Sequence, residues 1–397
     1  MGSQAAHLLY STGGLWSLWT FNACRAAGWD IAPIGAAEIA AGGLAGARVV
    51  VIPGGWPALK RAALGEAGAA AVRAFVSAGG AYLGFCGGAG LALAGADGLG
   101  LVGLGRSSGR DRLPSLSGPV LARPGAGGGA NHPFWRNLAP PCPFHVWWPG
   151  QFAAPLPTDL AVVAAYAGPA PGLCSADLAV DQVDPAEWPA LEKSYGLRLD
   201  PAGLAGLPAV VESGLDQGRV LLSYLHLDTP GDETGRRALA NLWRGWLGLE
   251  PAALAPPAPA SSDGPAGSWA ATADELWRLG QDMGLWRPRH PVMPLWRRGA
   301  RGLEFWSLCE LCRALATKPG PAPAPKQAAE IGALMASLRR HGPVVLDWQA
   351  RALAGEGAPP PPAAQAWFPA PRRVGGELAR VLALLEQAIF APRDGRR

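Results

Sequence analysis

The chain has 397 residues, of which 49% are hydrophobic and only 16% charged, with a net charge of +4. These proportions exclude an intrinsically disordered chain, and so small a charge argues against a nucleic-acid-binding surface spread over the molecule. The length allows two domains, and 55 glycines with 40 prolines signal many turns and linkers.

In chain order, His7-Leu8-Leu9-Tyr10 reads as a first strand. Ser11-Thr12-Gly13-Gly14 reads as a turn, and Leu15 to Ala27 as a helix. Asp30-Ile31-Ala32-Pro33-Ile34 is a short second strand. Arg48-Val49-Val50-Val51-Ile52 is a buried third strand, stopped by Pro53-Gly54-Gly55. Glu66 to Ser77 spaces Ala70, Val72, Phe75 and Val76 as a helix does, and Gly79-Gly80 closes it. A strand then runs into Cys86. This rhythm predicts an α/β, doubly wound, mostly parallel sheet of flavodoxin-like type, whose sites gather at the carboxyl ends of its strands.

Between 95 and 205 only short strands, around Val146 and Ala161 to Ala165, can be read. Leu207 to Ser213 and Gly218 to Tyr224 then form a pair of strands, joined as a hairpin through Gly214 to Gln217. Leu225-His226-Leu227-Asp228 and a turn at Pro230-Gly231 follow, then a helix from Gly235 to Leu247. The expected domains are 1–250, a Pro/Ala/Ser linker at 251–267, and a helical C-terminal region at 268–397. The predicted C-terminal helices are Ala273 to Met283, Leu303 to Thr317, Ala328 to Arg340 and Gly376 to Ile389, with breaks at 319–325 and 358–363.

The stretch Gly84-Phe85-Cys86-Gly87-Gly88 reads either as a nucleophile elbow or as a buried cysteine in a Gly-rich turn. In the first reading, an apolar strand ends, the chain turns sharply and a helix begins, with small neighbours making room for a strained cysteine. The helix start favours thiolate. A reactive thiol needs a base, an orienting group and oxyanion donors. His226 is the base candidate and Asp228 its orienting acid, while the backbone N–H groups of Gly55 and Gly87 are the oxyanion candidates. Gly54 and Gly88 flank the pocket. His132 and His145 either line it or serve structure.

Val51-Ile52-Pro53-Gly54-Gly55, the Cys86 elbow and His226-Leu227-Asp228 together resemble the class I glutamine amidotransferase superfamily. Tyr10-Ser11 with Gly13-Gly14, and Phe75 to Gly84, narrow the resemblance, over residues 5 to 250, to the amidotransferase-like N-terminal domain found in some biotin–protein ligases. The resemblance implies a cysteine-dependent hydrolase acting on a small-molecule amide or related acyl substrate, with glutamine as the superfamily's substrate. Asp228 stands where the superfamily usually has Glu. The nearest string to a biotin ligase's Gly-Arg-Gly-Arg-type loop, Gly103 to Arg110, is read as an ordinary loop. A non-catalytic ligand-binding or regulatory module, linked to biotin metabolism, is the alternative.

The remaining features are weighed as structural. Cys309 and Cys312 share a helix face, and no second pair of zinc ligands is near. Arginines interleave with Trp286 and Trp296, which reads as a helix edge anchored by tryptophan, with nucleic-acid, acidic-partner or membrane-surface binding as the rival. No metal or cofactor is expected, and a protein partner is assigned to the C-terminal helices alone. Six scattered cysteines suggest no disulfide framework. With no signal peptide and no apolar run of about 18 residues, the expectation is a cytoplasmic protein without a membrane span.

Overall fold

The computed structural model describes residues 5–10, 14–108, 112–252, 265–289, 292–318, 322–368 and 375–390. They divide into two compact units, 1–254 and 255–397. The expected turn at Ser11-Thr12-Gly13, most of the expected linker, and Gly109-Arg110 lie outside the described residues.

The first unit is built on β1 (Ala6–Leu9), α1 (Leu15–Ala26), β2 (Ile31–Ile34), α2 (Ala36–Ala40), β3 (Val49–Ile52), α3 (Pro57–Ser77), β4 (Ala81–Phe85) and α4 (Gly87–Ala92). There follow β5 (Leu116–Pro124), β6 (Cys142–Trp147), β7 (Ala161–Pro169), β8 (Cys174–Ser175), β9 (Leu178–Ala179) and α5 (Trp188–Tyr195). The unit ends with β10 (Pro208–Leu215), β11 (Gly218–Ser223) and α6 (Glu233–Asn241), the last continued by a π turn over Leu242–Trp246.

One sheet runs in the order β2-β1-β3-β4-β11-β10-β7-β5-β8-β9, with β6 paired to β5. The first five strands are mutually parallel. Their order is the 2-1-3-4-5 arrangement of a flavodoxin-like doubly wound sheet. Beyond β11 the pairs are antiparallel.

Alternation along the central strands explains the two-sided winding. Val49, Val51, Leu83, Phe85 and Leu221 enter a core shared with Trp29, Leu239 and Trp243. Val50, Ile52, Tyr82, Val220 and Leu222 enter the opposite core, shared with Leu64 and Val72 of α3. Both faces are dry, so β3 reads as an unbroken Val-Val-Val-Ile run. Each such side chain contributes about 1.5–3 kcal/mol on burial.

Several elements depart from the sequence reading. The helix expected from Glu66 begins at Pro57, kinked at Gly65, where φ is +60°. β5 carries Gly118 and Pro119, which hid it from a pattern search.

The second unit contains α7 (Pro265–Asp282), a hairpin of β12 (Trp286–Arg287) and β13 (Leu295–Trp296), α8 (Gly302–Thr317), α9 (Pro325–Leu353), α10 (Pro362–Trp367) and α11 (Gly376–Phe390). α7 packs on α8 and α9, and α11 packs on the same two helices. Two expectations need correction. The helix begins at Pro265, inside the expected linker, and buries Trp269. α9 runs past Arg340, through Pro343, to Leu353. Burial of Val345, Leu346 and Gln349 beyond the proline offsets a penalty of about 3 kcal/mol for proline inside a helix. The Arg/Trp stretch forms this hairpin and not the expected helix edge: Trp286 is buried and stacks on Trp277 at 4.7 Å, while Arg287, Arg297 and Arg298 are exposed. Arg297 donates to the Leu353 carbonyl. No helix among the described residues is long and apolar enough to cross a membrane.

Candidate functional site

Cys86 lies between β4 and α4 with φ 46° and ψ −101°, a left-handed backbone that side-chain-bearing residues rarely adopt. Close packing holds it there. A Cβ on Gly87 would sit 1.7 Å from the Gly55 carbonyl oxygen, and one on Gly88 would sit 2.0 Å from that of Ile52. The elbow is therefore pressed against the Pro53-Gly54-Gly55 turn, and only glycine fits on its side. Tyr82, buried in β4, donates its hydroxyl to the Gly88 carbonyl at 2.7 Å and props the turn from below. Cys86 N–H donates to Ser223 O at 2.7 Å, tying the elbow to the end of β11. Its sulfur is partly exposed and lies 3.8 Å from the Trp147 carbonyl oxygen.

The residues just after β11 carry the imidazole. His226 and Asp228 are both wholly buried. Nδ1 of His226 is 2.9 Å from Asp228 Oδ1. An ionised carboxylate only accepts, so the proton of that bond sits on Nδ1 and Nε2 is left for chemistry. Nε2 has no hydrogen-bond partner. Burial pushes the His226 pKa down, but the Asp228 carboxylate, with Cys86 nearby, outweighs it and raises the group to about 10. A Cβ on Gly54 would lie 3.1 Å from His226 Cε1 and 3.2 Å from Trp16, so Gly54 leaves room for the two rings. Those rings are tilted with centroids 4.9 Å apart.

Three residues that sequence reasoning missed complete the frame. Thr20, buried in α1, donates its hydroxyl to Asp228 Oδ2. A polar residue within the apolar run Leu15-Trp16-Ser17-Leu18-Trp19-Thr20-Phe21 was the available signal. Thr229 accepts from Trp147 Nε1 at 3.0 Å and donates to His226 O at 3.1 Å. Asp232 caps α6 through Gly235 N–H and takes His145 Nδ1 at 2.7 Å.

The two uncertain histidines part company. His145 borders the site: its carbonyl accepts from His226 N–H at 2.8 Å, and its ring stacks on Trp147. His132 instead bonds Glu212 at 3.0 Å and accepts from Phe134 N–H. Glu212 also takes Trp246 Nε1 and Arg219. Nothing among these contacts joins His132 to Cys86. In the second unit Cys309 and Cys312 are buried, and Cys309 donates to the Ala273 carbonyl at 3.3 Å. No group of three or more His, Cys, Asp or Glu among the described residues is arranged to hold a metal ion.

A parallel 2-1-3-4-5 sheet with helices on both faces, a strand–cysteine–helix elbow beside a Pro-Gly-Gly turn, and a histidine after the last parallel strand define an α/β domain of class I amidotransferase-like architecture. Residues 19–95, from within α1 to just past α4, match the sequence model of the family Biotin-protein ligase, N terminal. No curated protein matches the chain. Among solved structures, the chain is similar to PurLQS of Thermotoga maritima, with 14% identity, a TM-score of 0.40, and coverage of 60% of this chain and 96% of that one. It is also similar to a ThuA-like protein of Bacteroides uniformis, at 16% identity and a TM-score of 0.39, covering 61% and 90% of the two chains. A third is a GMP synthase subunit protein from Thermoplasma acidophilum, at 14% identity and a TM-score of 0.37, covering 62% and 94%.

Proposed function

We propose that the first unit is a cysteine-dependent hydrolase of the amidotransferase type, acting on a small-molecule amide or related acyl substrate. The observation that carries this reading is the strained cysteine set beside a buried His226–Asp228 pair whose outer nitrogen has no other partner. In the reaction, the Cys86 thiol proton has passed to His226 Nε2 before sulfur bonds to the carbonyl carbon, in keeping with the raised pKa of that ring. The N–H groups of Gly55 and Gly87 hold the oxygen that gains negative charge. The carbon–nitrogen bond breaks as His226 returns the proton to the leaving amine, which leaves a thioester. Water then attacks, His226 takes its proton, and the carbon–sulfur bond breaks to release the acid and regenerate the thiol. Asp228 fixes the tautomer and Thr20 fixes Asp228.

Alkylation of Cys86 across pH tests this. Cys86 is expected to react faster than a model thiol at neutral pH, and His226→Ala to abolish the advantage. Reaction no faster than a model thiol, with no effect of His226→Ala, ends the catalytic reading. A second reading, a ligand-binding or regulatory module, draws on the thiol's contact with the Trp147 carbonyl at 3.8 Å. Ligand binding without turnover of any amide or ester favours it.

A further inference from the structure

A cluster of cationic and hydroxyl groups gathers around Tyr224, with no acidic side chain among the described residues paired to it. Tyr224 follows Ser223, whose carbonyl holds the Cys86 N–H. Its ring is clamped between Phe152, with centroids 4.5 Å apart, and Gly150, where a Cβ would fall 2.4 Å from the ring. Its hydroxyl is buried and has no hydrogen-bond partner. Arg106 forms a β-bridge with Phe152, the same residue that packs on Tyr224. Gln151, between Gly150 and Phe152, holds both arginine-bearing segments. Its carbonyl accepts from Ser107 N–H at 2.8 Å, and its side-chain oxygen accepts from Leu113 N–H at 3.1 Å. Its Nε2 is a second buried donor without a partner. Neither Arg106 nor Arg112 forms an ion pair among the described residues.

We propose that Arg106, Arg112 and Tyr224 form an anion-binding subsite beside Cys86, and that the substrate is therefore an acyl compound bearing a carboxylate or a phosphate. This rests on the reading of Cys86 as the nucleophile. Two guanidinium groups and a buried hydroxyl are donors only or donors first, and no acidic residue among those described answers them. An oxyanion, whether a planar carboxylate or a tetrahedral phosphate, accepts from such donors, and the fork of a guanidinium suits either. Electrostatics agree with the placement. Burial pushes the Tyr224 hydroxyl up and Cys86 pushes it further, while Arg106 and Arg112 pull it back. Burial, with Arg106 beside it, pulls Arg112 below its ordinary range, and Tyr224 and Cys86 act against that. All four groups thus share one neighbourhood. Arg106 belongs to the Gly103 to Arg110 string that the sequence alone assigned to an ordinary loop.

Paired alkylating reagents test the subsite on the full chain. Iodoacetate carries a carboxylate and iodoacetamide does not. The ratio of their rates at Cys86 is expected to exceed that of 2-mercaptoethanol by about tenfold, the equivalent of one charge-assisted contact. Arg112→Gln with Arg106→Gln returns the ratio to that of the model thiol. Arg112→Lys keeps part of it, and Tyr224→Phe lowers it. Inorganic phosphate and acetate slow iodoacetate labelling, and the one effective at lower concentration distinguishes a phosphate from a carboxylate. A Cys86 that reacts fast with iodoacetamide but shows no preference for iodoacetate overturns the subsite and leaves the nucleophile standing. A Cys86 inert to both reagents removes the nucleophile instead. The subsite is then decided by the melting temperature, which phosphate or acetate must raise in the parent chain and not in the double arginine variant. No rise overturns it.

Discussion

Asp228 meets Nδ1 of His226 at 2.9 Å, with only one residue between them in the chain. The backbone turns tightly enough for the short carboxylate to reach: Thr229 N–H donates to His226 O, and Asp232 N–H to Thr229 O. The carboxylate's second oxygen takes the Thr20 hydroxyl. Aspartate is therefore long enough, in this turn, to meet the imidazole.

Replacing that carboxylate changes the tautomer rather than the shape. Asp228→Asn is expected to lower the labelling rate of Cys86, or turnover once a substrate is known, by about a hundredfold or more. Thr20→Val removes one buried donor and is expected to cost about 1–3 kcal/mol of stability. Stopped-flow alkylation and urea melts read the two effects. An unchanged rate in Asp228→Asn would sink the orienting role.

The raised His226 pKa sets a pH window. Burial lowers the group, but Asp228 and Cys86 raise it to about 10, above its ordinary value of 6.5. The folded state therefore binds the proton more tightly than the unfolded chain does. The stability gained is complete below about 6.5 and is lost as pH climbs through about 10. Urea melts of the parent chain and His226→Gln, compared at pH 6, 8 and 10, are expected to differ most at pH 6 and to converge toward pH 10. A difference that is flat across this range contradicts the linkage.

Backbone strain at the elbow separates stability from function. Cys86 holds φ 46° and ψ −101°, a conformation that costs a side-chain-bearing residue about 1–3 kcal/mol. Cys86→Gly removes the Cβ and Cys86→Ala keeps it. The glycine variant is expected to be the more stable of the two by about that amount in thermal melts, and both lose labelling. Equal stability of the two would mean that the strain is not there.

Glu212 offers a control away from the chemistry. Burial pushes its carboxyl up, but bonds from His132 and Trp246 and the Arg219 charge bring it below its ordinary value. Its contribution is present above pH ~4.5 and is lost as pH falls through the folded pKa. Glu212→Gln or His132→Ala is expected to destabilise the first unit by about 1–3 kcal/mol without altering Cys86 labelling. A change in labelling would return His132 to the pocket.

Much of this architecture was legible in the chain because its signals are local. The Val49–Ile52 run, the Pro53-Gly54-Gly55 stop and the small residues around Cys86 each reflect an obstacle next to them: dry faces, a turn, a crowded elbow. Gly87 and Gly88 even announce the contact with the turn after β3, since no side chain fits there. The antiparallel extension was harder. β5 is broken by Gly118 and Pro119, and it is held by neighbours far along the chain rather than by its own pattern. α9 continues through Pro343 because packing outweighs a local penalty.

By itself, then, the sequence determined the strand–helix rhythm, the elbow and the candidates Cys86, His226 and Asp228, because periodicity and turn chemistry act over a few residues. Tertiary structure alone decided that Thr20, 208 positions from Asp228, completes the buried pair. It also decided that His145 borders the site while His132 serves Glu212, and that the chain at Arg106 and Leu113 meets Gln151 and Phe152 beside Tyr224. Those relations depend on which strand ends lie side by side in the sheet. A long-range hydrogen bond leaves no periodic trace in the chain that makes it.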